Sequence, residues 1–100
     1  MVKDKDTIIK ELKDHIASRG GAYSGWYTGI AEDAEKRLDE HGVNRKDGDK
    51  WAHREATSSD IAREIETHFT KTLGTDGAPG GGTDASKFVY IYQKNDHTDP

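Results

Sequence analysis

The stretch Tyr23-Ser-Gly-Trp-Tyr-Thr-Gly-Ile-Ala-Glu-Asp-Ala-Glu-Lys-Arg-Leu-Asp-Glu-His41 decides the architecture, because its character changes part-way along. Up to Ile30 it is rich in aromatic and β-branched residues and too short for an independent helix. It reads as a strand, with Gly25 and Gly29 marking a bulge or a close backbone approach. Beyond it, Asp33 is a good helix N-cap, Ala34, Leu38 and His41 share one helix face, and Gly42 is a stop. A strand therefore feeds a helix across a short turn.

The same alternation continues outward. Ile8, Ile9, Leu12 and Ile16 recur at helical spacing, Asp6 or Thr7 caps the start, and Gly20 and Gly21 stop a helix spanning about 6–19. Downstream, Asn44 to Lys50 is a polar turn and Trp51 to Ala56 a short strand. Thr57, Ser58 or Ser59 then caps a third helix with the stripe Ile61, Ile65, Phe69 and Leu73, ended by Gly74. The segment 74–87 is a Gly-, Thr-, Asp- and Pro-rich loop, Phe88 to Tyr92 is a strand, and 95–100 a frayed tail. The order α-β-α-(β)-α-β predicts one α+β domain over 1–100, with its ordered core at about 6–94. In it, three helices pack on a small two- to three-stranded, mainly antiparallel sheet.

Composition narrows the function. With 31% hydrophobic residues in 100, the core must be small. The absence of cysteine removes disulfides, thiolate metal ligands and thiol nucleophiles, and fits a reducing compartment. No run approaches the ~20 apolar residues of a membrane span. Met1 to Lys10 is charged where a secretory signal needs an apolar segment, so the expectation is a cytoplasmic protein with no membrane partner. The net charge of −4 lacks the basic signature of a general nucleic-acid coat, so a nucleic-acid partner must be held at a local site.

The five histidines, His15, His41, His53, His68 and His97, show no His-x-x-x-His spacing, and a dedicated zinc site is not expected. Gly74 to Thr83 follows a helix and lacks the Gly-Lys-Ser/Thr ending of a phosphate loop, so it reads as a connection. Asp76 and Asp84 on or near it are carboxylates that could approach a cation.

Chemistry concentrates between Tyr27 and His41. Arg37 and His41 lie one turn apart on one helix face and look back toward the strand end carrying Tyr27. A guanidinium there suits a phosphate, and a phenol and an imidazole can move a proton.

These residues resemble the GIY-YIG endonuclease superfamily. Tyr27-Thr28-Gly29 is similar to its second signature strand, Arg37 follows Gly29 at the spacing of its catalytic arginine, and His41 comes one turn later. Ile65-Glu66-Thr-His-Phe69 resembles the helix that carries its metal-binding glutamate. The matching elements run from about Trp26 to Lys71. The resemblance implies a metal-dependent phosphodiester hydrolase acting on nucleic acid. Glu66 would hold Mg2+ or Mn2+, Arg37 would clamp the phosphate, Tyr27 and His41 would support the site, and a tyrosine of the first signature strand would help activate water.

That first strand is not in its usual place, because Gly21-Ala22-Tyr23 lies too close to Tyr27 for a hairpin. Tyr23 is one candidate for the tyrosine, and Tyr90 or Tyr92 are the others if the C-terminal strand takes its place in a permuted order. The alternatives are a catalytically inactive relative and a small module that binds a protein partner. Convergence of Tyr27, Arg37 and Glu66 separates them.

Overall fold

The computed structural model describes residues 2–19, 22–46, 50–77 and 83–98. Strand β1 (Val2–Lys3) leads into helix α1 (Lys5–Ala17), whose cap is Asp4 rather than Asp6 or Thr7: its side chain accepts from the Thr7 N–H at 2.8 Å. The proposed glycine stop, Gly20 and Gly21, lies outside the described residues. A 3₁₀ turn (Tyr23–Gly25) precedes β2 (Trp26–Ala31). Helix α2 (Ala34–Glu40) is capped by Asp33, and Gly42 past its end takes φ +84°, the left-handed conformation that favours glycine.

Strand β3 (Trp51–Ala56) follows, then α3 (Ser59–Thr67), with Ser58 as the cap among the three candidates. The helix continues as a π turn (His68–Leu73) that closes at Gly74, φ +96°. The segment 74–87 holds a further strand, β4 (Asp76–Gly77), at its start, while 78–82 lie outside the described residues. Strand β5 (Phe88–Gln93) is last.

The expected sheet of two or three mainly antiparallel strands is corrected here. The strands form one five-stranded mixed sheet in the order β1-β3-β5-β2-β4. The pairs β2/β5 and β3/β5 are antiparallel, and β1/β3 and β2/β4 are parallel. The two parallel edges escape sequence reading because each is two residues long, too short to establish any alternation. The assignment to the α+β class stands.

Strand pleating sorts the residues into two cores on opposite faces of this sheet. Trp26, Ile30, Val89 and Ile91 meet Ile8, Leu12 and Ile16 of α1 and Ala62 and Ile65 of α3. Tyr27, Ala31, Tyr90 and Tyr92 face the other way, onto Ala34 and Leu38 of α2. Every residue of β2 is buried as a result. The Thr28 hydroxyl shares a 2.9 Å hydrogen bond with that of Thr75, just before β4, which satisfies both buried groups.

Because β5 lies between β2 and β3, its inward side chains carry more of the sheet's cohesion than any edge residue. Ile91, fully buried, is expected to lose about 2–5 kcal/mol of unfolding free energy on substitution by Ala. The half-exposed Val2 on β1 should change by no more than about 0.5 kcal/mol when replaced by Ala. Urea denaturation of the two variants checks this, and equal losses would contradict a central β5.

Candidate functional site

Register explains why glycine follows Thr28. In the β2/β5 ladder Gly29 pairs with Tyr90, and both lie on the face covered by α2. A Cβ on Gly29 would overlap the Tyr90 hydroxyl and ring, so the phenol lies across the bare backbone of Gly29. The motif glycine is a seat for a tyrosine supplied by the last strand.

Above that seat a histidine and three tyrosines pack together. His41 Nε2 and the Tyr90 hydroxyl share a hydrogen bond of 2.9 Å. The His41 ring lies 4.8 Å from that of Tyr27, 5.7 Å from Tyr90 and 5.2 Å from Tyr92, centroid to centroid. Tyr27 stacks on Tyr92 at 5.2 Å. Helix α2 aims His41 at this point because His41 follows its last residue and donates its backbone N–H to the Arg37 carbonyl at 3.0 Å. Arg37, one turn earlier and about half exposed, is held by Glu40 at 3.0 Å, and its guanidinium adjoins the Tyr90 hydroxyl.

Glu66 comes from α3, on the opposite side of the sheet. Its residue is 3% exposed, and among the described residues no donor reaches its carboxylate. Burial pushes its pKa up to about 7, against the opposing charge of Arg63. The same carboxylate acts electrostatically on both Tyr27 and Tyr90, and so does Arg37. Both tyrosines thus feel charge from α2 and from α3. Tyr90 is pushed up to about 12, mainly by burial, and Tyr27 is raised for the same reason.

Of the residues picked from sequence, Tyr27, Arg37 and His41 gather around Tyr90 on the α2 face, whereas Glu66 comes from α3 across the sheet and does not converge with Arg37. Tyr23 packs against the α1/α3 core, away from this cluster, and Tyr92 lies within the aromatic stack. Tyr90 is the phenol beside both Arg37 and His41. Asp76 is, from sequence, a loop carboxylate that could approach a cation. It pairs in register with Tyr27, adds its charge to that phenol's surroundings, and meets Lys94 at 3.4 Å. The Glu40 clamp on Arg37 carried no sequence signal beyond its helical spacing.

Among the described residues no group of three or more His, Asp or Glu side chains could hold a metal ion. Glu66 is the buried carboxylate that could contribute to holding a hard divalent cation. It is a buried carboxylate lacking a donor, and Mg2+ commonly takes one or two carboxylates and completes its shell with waters and phosphate oxygens. Comparison with family models, curated proteins and solved structures gives no match.

Two outcomes follow. Folded Glu66 keeps its proton to about pH 7, whereas the unfolded chain releases it near the ordinary 4.5. The folded state therefore binds the extra proton, so this contribution to stability is full below 4.5 and is lost as pH rises through about 7. Urea titrations should show wild type and Glu66→Gln nearly equal at the acid end of that window. Above it, the Gln variant should be the more stable by up to about 3 kcal/mol. A wild-type stability that is flat across this window would contradict the burial of the carboxylate. Separately, Gly29→Ala should displace Tyr90 and cost about 1–3 kcal/mol in the same assay.

Proposed function

We propose that this chain is a permuted member of the GIY-YIG superfamily and a metal-dependent phosphodiester hydrolase acting on nucleic acid. The observation that carries the reading is the position of β5. It pairs antiparallel with β2 and sets Tyr90 across Gly29, beside Arg37 and His41, where the missing first-strand tyrosine would stand. A strand that precedes Tyr27 in the family's order follows it here.

In this reading Arg37 binds the scissile phosphate and offsets the charge that grows on its oxygens. Water attacks phosphorus, and the bond from phosphorus to the leaving oxygen breaks. The water proton passes to the Tyr90 oxygen as the phenolic proton passes to His41 Nε2 along their 2.9 Å hydrogen bond. The adjacent Arg37 makes this phenol easier to ionise, against the burial that otherwise holds it protonated. Tyr27 packs against His41 and fixes the ring's orientation. Glu66 would hold the Mg2+ or Mn2+ that the family resemblance implies, and such a cation would supply positive charge against the phosphate anion.

A second reading has its own support. Tyr90 is 1% exposed and Arg37 is engaged by Glu40, which favours an inactive relative that keeps the cluster as a core and binds a protein or nucleotide partner through this face.

Cleavage of a labelled oligonucleotide in Mg2+ or Mn2+ separates the two. The hydrolase reading expects metal-dependent nicking that falls by about 10²–10³ in Arg37→Ala and Glu66→Gln. In Tyr90→Phe the loss should be about 10²–10⁴. Wild-type protein that binds the oligonucleotide yet cuts nothing with either ion leaves the inactive relative.

A further inference from the structure

The register of the β3/β5 ladder leaves part of β3 without a partner. The Gln93 N–H donates to the Lys50 carbonyl at 2.9 Å, and the Ala56 N–H to the Lys87 carbonyl at 2.8 Å. Alternate residues of an antiparallel strand turn their backbone groups to the same side. Ala52 and Arg54 therefore also face β5, while Trp51, His53 and Glu55 face away from it. On that outer side β1 pairs only at Glu55 and Ala56. The N–H groups of Trp51 and His53 thus point from an open sheet edge, with no acceptor among the described residues.

The carbonyls of this edge are guarded. Arg54 donates to the His53 carbonyl at 2.7 Å, and the His15 ring hydrogen-bonds to the Trp51 backbone. Both guards sit among cations on the α1 side. Arg54 and Lys3 share one carboxylate, Glu11, at 2.7 and 3.0 Å, and Arg19 makes no ion pair among the described residues. Three cations against that carboxylate leave the side positive. Burial first, and then the charges of Arg19 and Arg54, push the His15 imidazole below its ordinary pKa. The α2 side of the same edge carries rings instead. Trp51 stacks on His53 with centroids 5.7 Å apart, and His53 meets Phe88 edge-on at 6.0 Å, all three half-buried. Arg45, which lies over Trp51, is offset there by Glu35 at 3.3 Å and Asp39 at 3.0 Å, so that side does not favour an anion.

We propose that this edge is a docking site for an extended peptide in which acidic side chains alternate with apolar ones. Such a strand adds to the sheet beside Trp51 and His53, in line with β1. Its carbonyls accept from the Trp51 and His53 N–H groups. Its own N–H groups take over the two guarded carbonyls as Arg54 turns from His53 to a peptide carboxylate. Strand side chains alternate between faces, so the acidic ones meet Arg54 and Arg19 while the apolar ones cover Trp51, His53 and Phe88. A strand without carboxylates has nothing to draw Arg54 away, and the guard refuses it. The site uses no residue of the Tyr90 cluster and does not depend on hydrolysis.

The probe is a short capped peptide of alternating Glu and Val, labelled for anisotropy and titrated against the full chain. At saturation, amide hydrogen exchange at Trp51 and His53 should slow by about tenfold or more. A peptide with Lys in place of Glu should bind about tenfold more weakly. The acidic peptide should lose about as much on Arg54→Gln, which keeps a donor for the His53 carbonyl. His53→Pro deletes one outward N–H without touching the β5 ladder and should abolish binding. His53→Ala keeps that N–H and should lose no more than about fivefold. Circular dichroism checks that each variant folds, and if His53→Pro does not, the exchange rates of the wild type decide alone. No binding of the acidic peptide, equal binding of the Glu and Lys peptides, or unchanged exchange at Trp51 and His53 overturns the proposal. So does a concentration-dependent dimer that His53→Pro abolishes and the peptide does not displace, which would assign the edge to a second copy of the chain.

Discussion

The antiparallel pairing of β2 with β5 is the constraint on which the rest of this molecule depends. It fixes which side chains face α2 and which face α1 and α3, because slipping the register by one residue would exchange the two sets. It also sets Tyr90 over Gly29, a position that no side chain at residue 29 would permit. Once that seat is taken, His41 can reach the phenol only from the end of α2. The Asp33 cap and the left-handed Gly42 therefore matter to the site as well as to the helix.

Two electrostatic environments follow from the two faces. On the α2 side the tyrosines lie beside a half-exposed guanidinium, which opposes the effect of their burial. On the α3 side Glu66 lies in apolar surroundings with only the charge of Arg63 in its favour, which makes its ionised form costly. A buried carboxylate held protonated up to about pH 7 is a poor structural element but a strong ligand once a cation offsets its charge. That asymmetry is what the proposed function uses. Arg37 and Glu66, from helices on opposite faces of the sheet, both act on one pair of phenols.

Much of this was legible from local signals. The Asp33 cap, the cap of α3 among Thr57, Ser58 and Ser59, the stripe Ile61, Ile65 and Phe69, and the strand at Phe88–Tyr92 each follow from side-chain chemistry within a few residues. The grouping of Tyr27, Arg37 and His41 was legible for the same reason, since helical spacing and a short turn determine it. Partnership between distant segments was not. Nothing near Tyr90 announces that it lies across Gly29, and Tyr23, Tyr90 and Tyr92 looked equivalent until the ladder separated them. The strands β1 and β4 escaped because two residues hold no periodicity. They exist only because β3 and β2 offer them a backbone to pair with.

The central position of β5 also shapes how the molecule reaches its native state. Strand β3 and strand β2 never touch as neighbours, so the sheet remains two separate pieces until β5 enters between them. Every contact that completes the sheet joins residues far apart in sequence, and the loop entropy of those closures must be overcome before any reward is gained. Folding should therefore be slower than the three helices alone would suggest. Before β5 arrives, the unpaired edges of β2 and β3 stay open to other chains, a state in which aggregation competes with folding.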